Sequence, residues 1–564
     1  MTKKTLYTVF FILCSTLLLS AVHPTRFKIT GIKDDILNNV KTRLTELNKV
    51  KPLDTLSKTT LHTEIEEAMT PYGYFNPKVT IKTSKKALLI RIKKGPQTRI
   101  TQVNITLQGE GSTNHLIKES IHTLDLKAGQ FFNNRAYDEA KESLLNVAEH
   151  QGYLRASYTK AELRIDKVHN TSQVEWVFNT GPLYYFGQVQ FDPTYICPEL
   201  LHRYVQFGYG QPYSTDQVLA LNSHLSASGY FKSVSVKPNI NQQRYVPINI
   251  HLQPAKPTNY TFGIGFGTDT GPRGRIGYHM VPVNRAGHKF NIIGQASLKE
   301  NALQAQYAIP GKNPVTDQIT INGGVSSLNY NSGYANSYLA SVAHQRTLPN
   351  YQHLFSLNAL TERFHYNPFV EKTKQSMVYP KGVLTFKRTS NPLFSPTGFN
   401  ITLTGLAASR AVLSKLSVAQ AMIDVKGAIR FDGIRTRFYA HTIQGITNVN
   451  DVYQLPLSLA LLLGGSNDMK AYSFNSIGPG KRITYGGLEL QKETIDNWYF
   501  VIFGDTGDVY RPLVRNLQND VGIGLMWVSP VGPVKVSIAQ AVTKQFDRRR
   551  DYNPRLVINV GPDL

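Results

Sequence analysis

From Lys256 to Leu564 the chain is dominated by a period of two. Phe262, Ile264 and Phe266 alternate with Gly263, Gly265 and Gly267. Val521, Ile523, Leu525 and Trp527 alternate with Gly522, Gly524 and Met526, and Val534, Val536 and Ile538 with Lys535, Ser537 and Ala539. Side chains of a strand point to opposite faces in turn, so each segment carries one apolar face and one small or polar face. A soluble sandwich shows the same alternation. A wall of strands with lipid outside and water inside requires it, because only a closed ring of strands satisfies its backbone in a bilayer. The 308 residues after position 256 allow about 19 per strand and turn in a sixteen-stranded antiparallel barrel, with strands of ~10 residues.

The start of the sequence favours the barrel. Lys3 and Lys4 precede an apolar run, Leu6 to Leu19, that ends in Ser20-Ala21. A basic stretch, a short apolar core and a small residue at a cut describe a secretory signal peptide over residues 1–21. The run is too short to span a bilayer. Cleavage removes Cys14 and leaves Cys197 without an internal disulfide partner. The formal charge of +24 would ordinarily suggest nucleic acid, but export removes that partner and leaves anionic lipid and polypeptide.

The first half repeats itself. A Gly-aromatic step before an alternating strand recurs at Gly73-Tyr74-Phe75, Gly152-Tyr153-Leu154 and Gly229-Tyr230-Phe231. Helical periodicity precedes each, as in Tyr137, Ala140, Leu144, Leu145 and Ala148. Each unit of about 80 residues reads strand, helix, helix, strand, strand. Its glycine ends the second helix where a left-handed backbone is needed.

These repeats resemble POTRA domains, at 25–98, 99–182 and 183–256, ahead of a barrel at 257–564. The fold class is therefore α+β repeats followed by an all-β transmembrane barrel. This order resembles the BamA–TamA superfamily of outer-membrane assembly and translocation proteins. The barrel motifs support it: Phe503-Gly504-Asp505-Thr506-Gly507, the hairpin from Gly522 to Pro533, and Gly464 to Tyr472 at the position of an inward-folded loop. Three repeats and the ending Val560-Gly561-Pro562-Asp563-Leu564 resemble the TamA branch. The resemblance implies an outer-membrane location with periplasmic repeats, substrate proteins of the autotransporter kind, and a TamB-like partner anchored in the inner membrane. A two-partner-secretion pore or general channel is the alternative; such relatives carry two repeats and a plug helix.

No enzyme site is evident. His-Glu-x-x-His and Gly-x-Ser-x-Gly are missing, Gly478-Pro479-Gly480-Lys481-Arg482 lacks the Ser or Thr of a phosphate loop, and the histidines are scattered. No cofactor or metal is expected. Three sets of residues are candidates for function. In relatives the loop arginine pairs with the wall aspartate. Here Lys470-Ala471 stand where they carry Arg-Gly, so Lys470 is expected against Asp505, with Glu489 as a second anion. Lysine lacks arginine's fork and Ala471 lacks glycine's freedom, so the loop is expected to be held less rigidly or to lie differently. Gly263, Gly265, Gly267, Gly561 and Pro562 weaken the first and last strands and mark a lateral seam. Arg548, Arg549 and Arg550, in an outer loop, suit lipopolysaccharide phosphates.

Overall fold

The structure is a computed structural model that describes residues 25–84, 87–241, 243–369, 371–510, 517–530, 532–543 and 553–564. The signal peptide and Arg548, Arg549 and Arg550 lie outside the described residues. Three small modules come first, each with its strands in the same order. The first comprises β1 (Phe27–Thr30), helices Asp34–Val50 and Lys58–Met69, β2 (Lys78–Thr83) and β3 (Leu88–Lys93). β3 lies in the centre, parallel to β1 and antiparallel to β2. The second comprises β4 (Arg99–Gln108), helices His115–Thr123 and Asn134–His150, β5 (Ser157–Asp166) and β6 (Thr171–Asn179), with β6 central. The third comprises β7 (Tyr185–Phe191), helices Pro198–His202 and Thr215–Ala227, β8 (Phe231–Pro238) and β9 (Tyr245–Pro254), with β9 central.

Helical periodicity buries one face of each helix pair on its sheet. In the first module Val40, Leu44, Leu61 and Ile65 meet Ile90 and Ile92. In the second, Trp176 is enclosed, with Tyr137 and Tyr158 edge-on at 5.3 and 5.4 Å. The repeated glycines share one conformation: Gly73, Gly152 and Gly229 have φ of 80°, 88° and 82°. A left-handed residue there lets the chain turn out of the second helix into the next strand.

The barrel is one antiparallel sheet of sixteen strands. In chain order these are β10 (Thr258–Gly267), β11 (Gly271–Met280), β12 (Lys289–Ser297), β13 (Glu300–Pro310), β14 (Asp317–Tyr330), β15 (Gly333–Leu348), β16 (Tyr351–Tyr366), β17 (Thr373–Thr389), β18 (Gly398–Ala408), β19 (Val418–Phe431) and β20 (Thr436–Val449). A loop carrying the hairpin β21 (Leu461–Leu463) and β22 (Ile477–Gly480) intervenes. The wall resumes with β23 (Arg482–Ile495), β24 (Trp498–Tyr510), β25 (Gln518–Ser529), β26 (Gly532–Ala541) and β27 (Arg555–Val560).

Apolar side chains at alternate positions face outward, including Phe262, Ile264, Leu488, Ile502, Ile523, Trp527 and Ile538. Aromatics gather at the entry end, where β10 begins: Tyr351 beside Phe386, Phe431 beside Phe438, and Trp498 stacked on Trp527. Aromatics so placed match the interfacial girdle expected of a membrane barrel. The strands do not keep to ~10 residues: β17 has 17 and β27 only 6. β15, β16 and β17 run on past the apolar band, where Asn336, Arg363 and Lys374 pair in an outward polar row. Ladder bonding continues there without lipid.

Candidate functional site: the loop lock, the tail and the seam

The loop between β20 and β23 enters the lumen because it is apolar enough to pack there. Leu461, Leu463, Met469, Ala471, Tyr472 and Ile477 form one buried cluster with lumen-facing Tyr485, Val501 and Phe503. Gly464 and Gly465, at φ of 117° and 121°, start its tight turn. Asp468 then accepts from the backbone N–H of Gly464 at 2.7 Å.

Lys470 Nζ donates to Asp505 Oδ2 at 2.8 Å and lies 3.5 Å from Glu489 Oε1. It stands over the Phe503 ring at 4.6 Å. The outward exposure of Leu488 and Leu490 puts Glu489 on the lumen face between them. Tyr485 Oη donates to the other oxygen of Asp505 at 2.9 Å. Lysine thus spans two carboxylates where an arginine fork would grip one. Ala471 is not among the residues at positive φ, so the freedom of glycine is not needed there. Its N–H donates to Asp520 Oδ2 at 2.9 Å, a contact the sequence reading missed.

The charges continue beyond this group. Lys535 Nζ lies 2.9 Å from Glu489 Oε2 and 3.7 Å from Asp563 Oδ2. Arg437 meets the same Asp563 at 2.6 Å. Anion and cation therefore alternate from the loop to the segment after β27. Lys535 was legible as lumen-facing from Val534 and Val536 on either side; Arg437 and Asp563 gave no local signal. A second brace reaches the start of the barrel. Asp269 accepts from Ser466 N at 2.8 Å and from Arg555 Nη2 at 2.7 Å, and Arg555 also donates to the carbonyl of Tyr472.

At the seam, β10 opens the strand order and β27 closes it, and among the described residues no ladder joins them. Ile558 N donates to Thr268 Oγ1 at 3.2 Å. Ile264, in the middle of β10, is 98% exposed. A Cβ on Gly263 or Gly265 would meet Arg275 or Arg273 of β11, and one on Gly267 would meet Thr270. Gly263 and Gly265 are themselves exposed, and the side chains nearest to them belong to their own hairpin and not to the folded-in loop. Gly561 has φ 130° with open space around it, so it is the backbone turn there that calls for glycine.

Comparison with known proteins follows this geometry. Residues 350–561 match the profile of the Omp85 superfamily domain. Over that stretch the chain carries an Omp85 superfamily domain. Residues 26–101 match the POTRA domain described as TamA domain 1, and residues 184–255 a POTRA profile described as surface antigen variable number repeat. The chain is similar in fold to BamA from Haemophilus ducreyi lacking POTRA domains 1–3: TM-score 0.66 and 17% identity, over 82% of this chain and 99% of that one. CdiB from Acinetobacter baumannii matches at TM-score 0.46 and 12% identity, over 94% of this chain and 100% of that one.

Proposed function

We propose that this Omp85 chain assembles or exports substrate proteins of the autotransporter kind through a lateral seam between β10 and β27. The unpaired edge of β10 carries the reading. A free strand edge offers a row of backbone donors and acceptors to an incoming strand. The modules stand in the periplasm. There β2, paired with β3 on one side and with no second strand on its outer side among the described residues, is suited to receive an extended chain. The match of residues 26–101 to a TamA-type first domain supports the TamA branch, and with it a TamB-like partner tethered to the inner membrane.

The test is a disulfide across the seam, from cysteines at Thr268 and Ile558. The oxidised barrel should stop assembling substrate and recover on reduction. Undiminished assembly by the locked form refutes the seam. Photocrosslinkers along β2 in native membranes should capture an inner-membrane-anchored protein, and their failure would remove the partner while leaving the seam untouched.

A further inference from the structure

After β27 the chain turns into a pocket in the wall of its own barrel. Arg437 donates to Asp563 through both terminal nitrogens, at 2.6 and 3.2 Å. Tyr439 Oη donates to the Asp563 carbonyl at 3.2 Å, and Lys387 Nζ to the Leu564 carbonyl at 3.2 Å. The Leu564 side chain is buried against Ala428 and Tyr439. Gly398 borders the slot: a Cβ there would lie 3.4 Å from Leu564 Cδ1, though it is the Arg388 carbonyl oxygen, 2.4 Å away, that excludes one.

The pocket keeps its shape by contacts of its own. Arg437 is 0% exposed. It donates to the carbonyls of Pro396 and Ser395 at 3.1 and 3.0 Å and to Gln491 Oε1 at 2.7 Å, with the Phe394 ring 4.8 Å away. Lys535 is held by Glu489 at 2.9 Å and stands over the Tyr439 ring at 5.0 Å. Both cations stay aimed at the same point if Asp563 leaves. A buried guanidinium without its anion is costly, so the tail does not leave an empty pocket readily. Exchange for another acidic group keeps the charges paired.

We propose that this pocket is a peptide-binding site for a segment in which an acidic residue precedes an aliphatic one, with Pro562-Asp563-Leu564 as its resident, exchangeable ligand. The charge, the backbone contacts and the slot together read such a segment: a bidentate fork for the carboxylate, two donors for the main chain, a cleft for the aliphatic side chain. A polypeptide of this chemistry in the lumen competes with the tail. The site stands whether or not the seam opens.

The experiment uses the chain ended after Gly561 and a fluorescent peptide Val-Gly-Pro-Asp-Leu, read by anisotropy in detergent. Saturable binding to the shortened chain is expected. It should be at least tenfold weaker with the full chain, and at least tenfold weaker for the peptide with Asn in place of Asp. A folded, heat-modifiable shortened barrel that binds no peptide, or binds the Asp and Asn peptides alike, overturns the proposal. If shortening prevents folding, Asp563→Asn in the full chain replaces it. That variant should bind the Asp peptide better than the unaltered chain does, and equal binding overturns the proposal.

Discussion

Replacing Lys470 by Met should free the folded-in loop more than replacing Asp505 by Asn. Without the ammonium, Asp505 keeps the Tyr485 hydroxyl at 2.9 Å but loses its cation and faces a second carboxyl, Asp520, directly across the ladder. Glu489 suffers less, because Lys535 remains at 2.9 Å and Gln491 at 2.7 Å. Stranding one buried charge in this way costs about 3–5 kcal/mol. With Asp505→Asn, Lys470 still has Glu489 at 3.5 Å and the Phe503 ring at 4.6 Å. The ring alone recovers up to about 2 kcal/mol when desolvated. At ~1.4 kcal/mol per tenfold, Lys470→Met should raise amide exchange over Gly464 to Tyr472 by roughly 10²- to 10³-fold, and Asp505→Asn by about tenfold less. The double variant should cost less than the sum of the two, since it strands fewer charges. Hydrogen exchange read by mass spectrometry on the intact barrel decides the matter. Unchanged protection in Lys470→Met, or a larger effect from Asp505→Asn, would refute the reasoning.

Further outcomes are expected elsewhere. Gly287→Ala places a Cβ 2.2 Å from Leu200 Cδ2 and 2.7 Å from Tyr230 Oη at φ 74°; it should destabilise its surroundings by about 1–3 kcal/mol, seen as faster proteolysis of residues 281–288. Trp176→Ala empties the second module's core and should cost about 3–5 kcal/mol, read as selective protease sensitivity of residues 99–182. Glu110 accepts from the backbone N–H of Leu183 at 3.0 Å and from Arg244 at 2.5 Å, and in that order they hold its carboxyl pKa below its usual value. The contact is complete above the unfolded range near ~4.3 and is lost as pH falls through the lowered native value. Labelled Glu110 should show this step by NMR, and a midpoint at the ordinary glutamate value would count against the contact.

Whatever depends on short-range periodicity is legible in the sequence. Gly73, Gly152 and Gly229 stood out because each follows a helical stripe and precedes an alternating strand, and all three turn left-handed. Glu489 could be assigned to the lumen from its two leucine neighbours, and Lys535 from its two valines. The strand lengths could not. The polar row through Asn336, Arg363 and Lys374 extends the ladder without an apolar face to announce it. Arg437 was equally silent: its partners, Ser395, Pro396, Gln491 and Asp563, are each more than forty residues away. Long-range convergence leaves no periodic trace. The glycines of β10 could be read as small, but not which side chains would lie nearest them: these are Arg275 and Arg273 of the neighbouring strand.

The charge chain explains why the lumen uses ions where an apolar core would hold as well. Asp505, Lys470, Glu489, Lys535, Asp563 and Arg437 alternate in sign, so each group has a neighbour on which its removal leaves a charge uncovered. A buried ion pair adds little net stability over a well-packed apolar one, but it strongly resists losing a single partner. Apolar packing loosens by degrees. This chain instead resists simple separation and tolerates substitution by another charge of the same sign. The loop at one end and the tail of β27 at the other are thus held by contacts suited to exchange. Lys535, which touches both Glu489 and Asp563, is the point where an event at either end would be felt at the other.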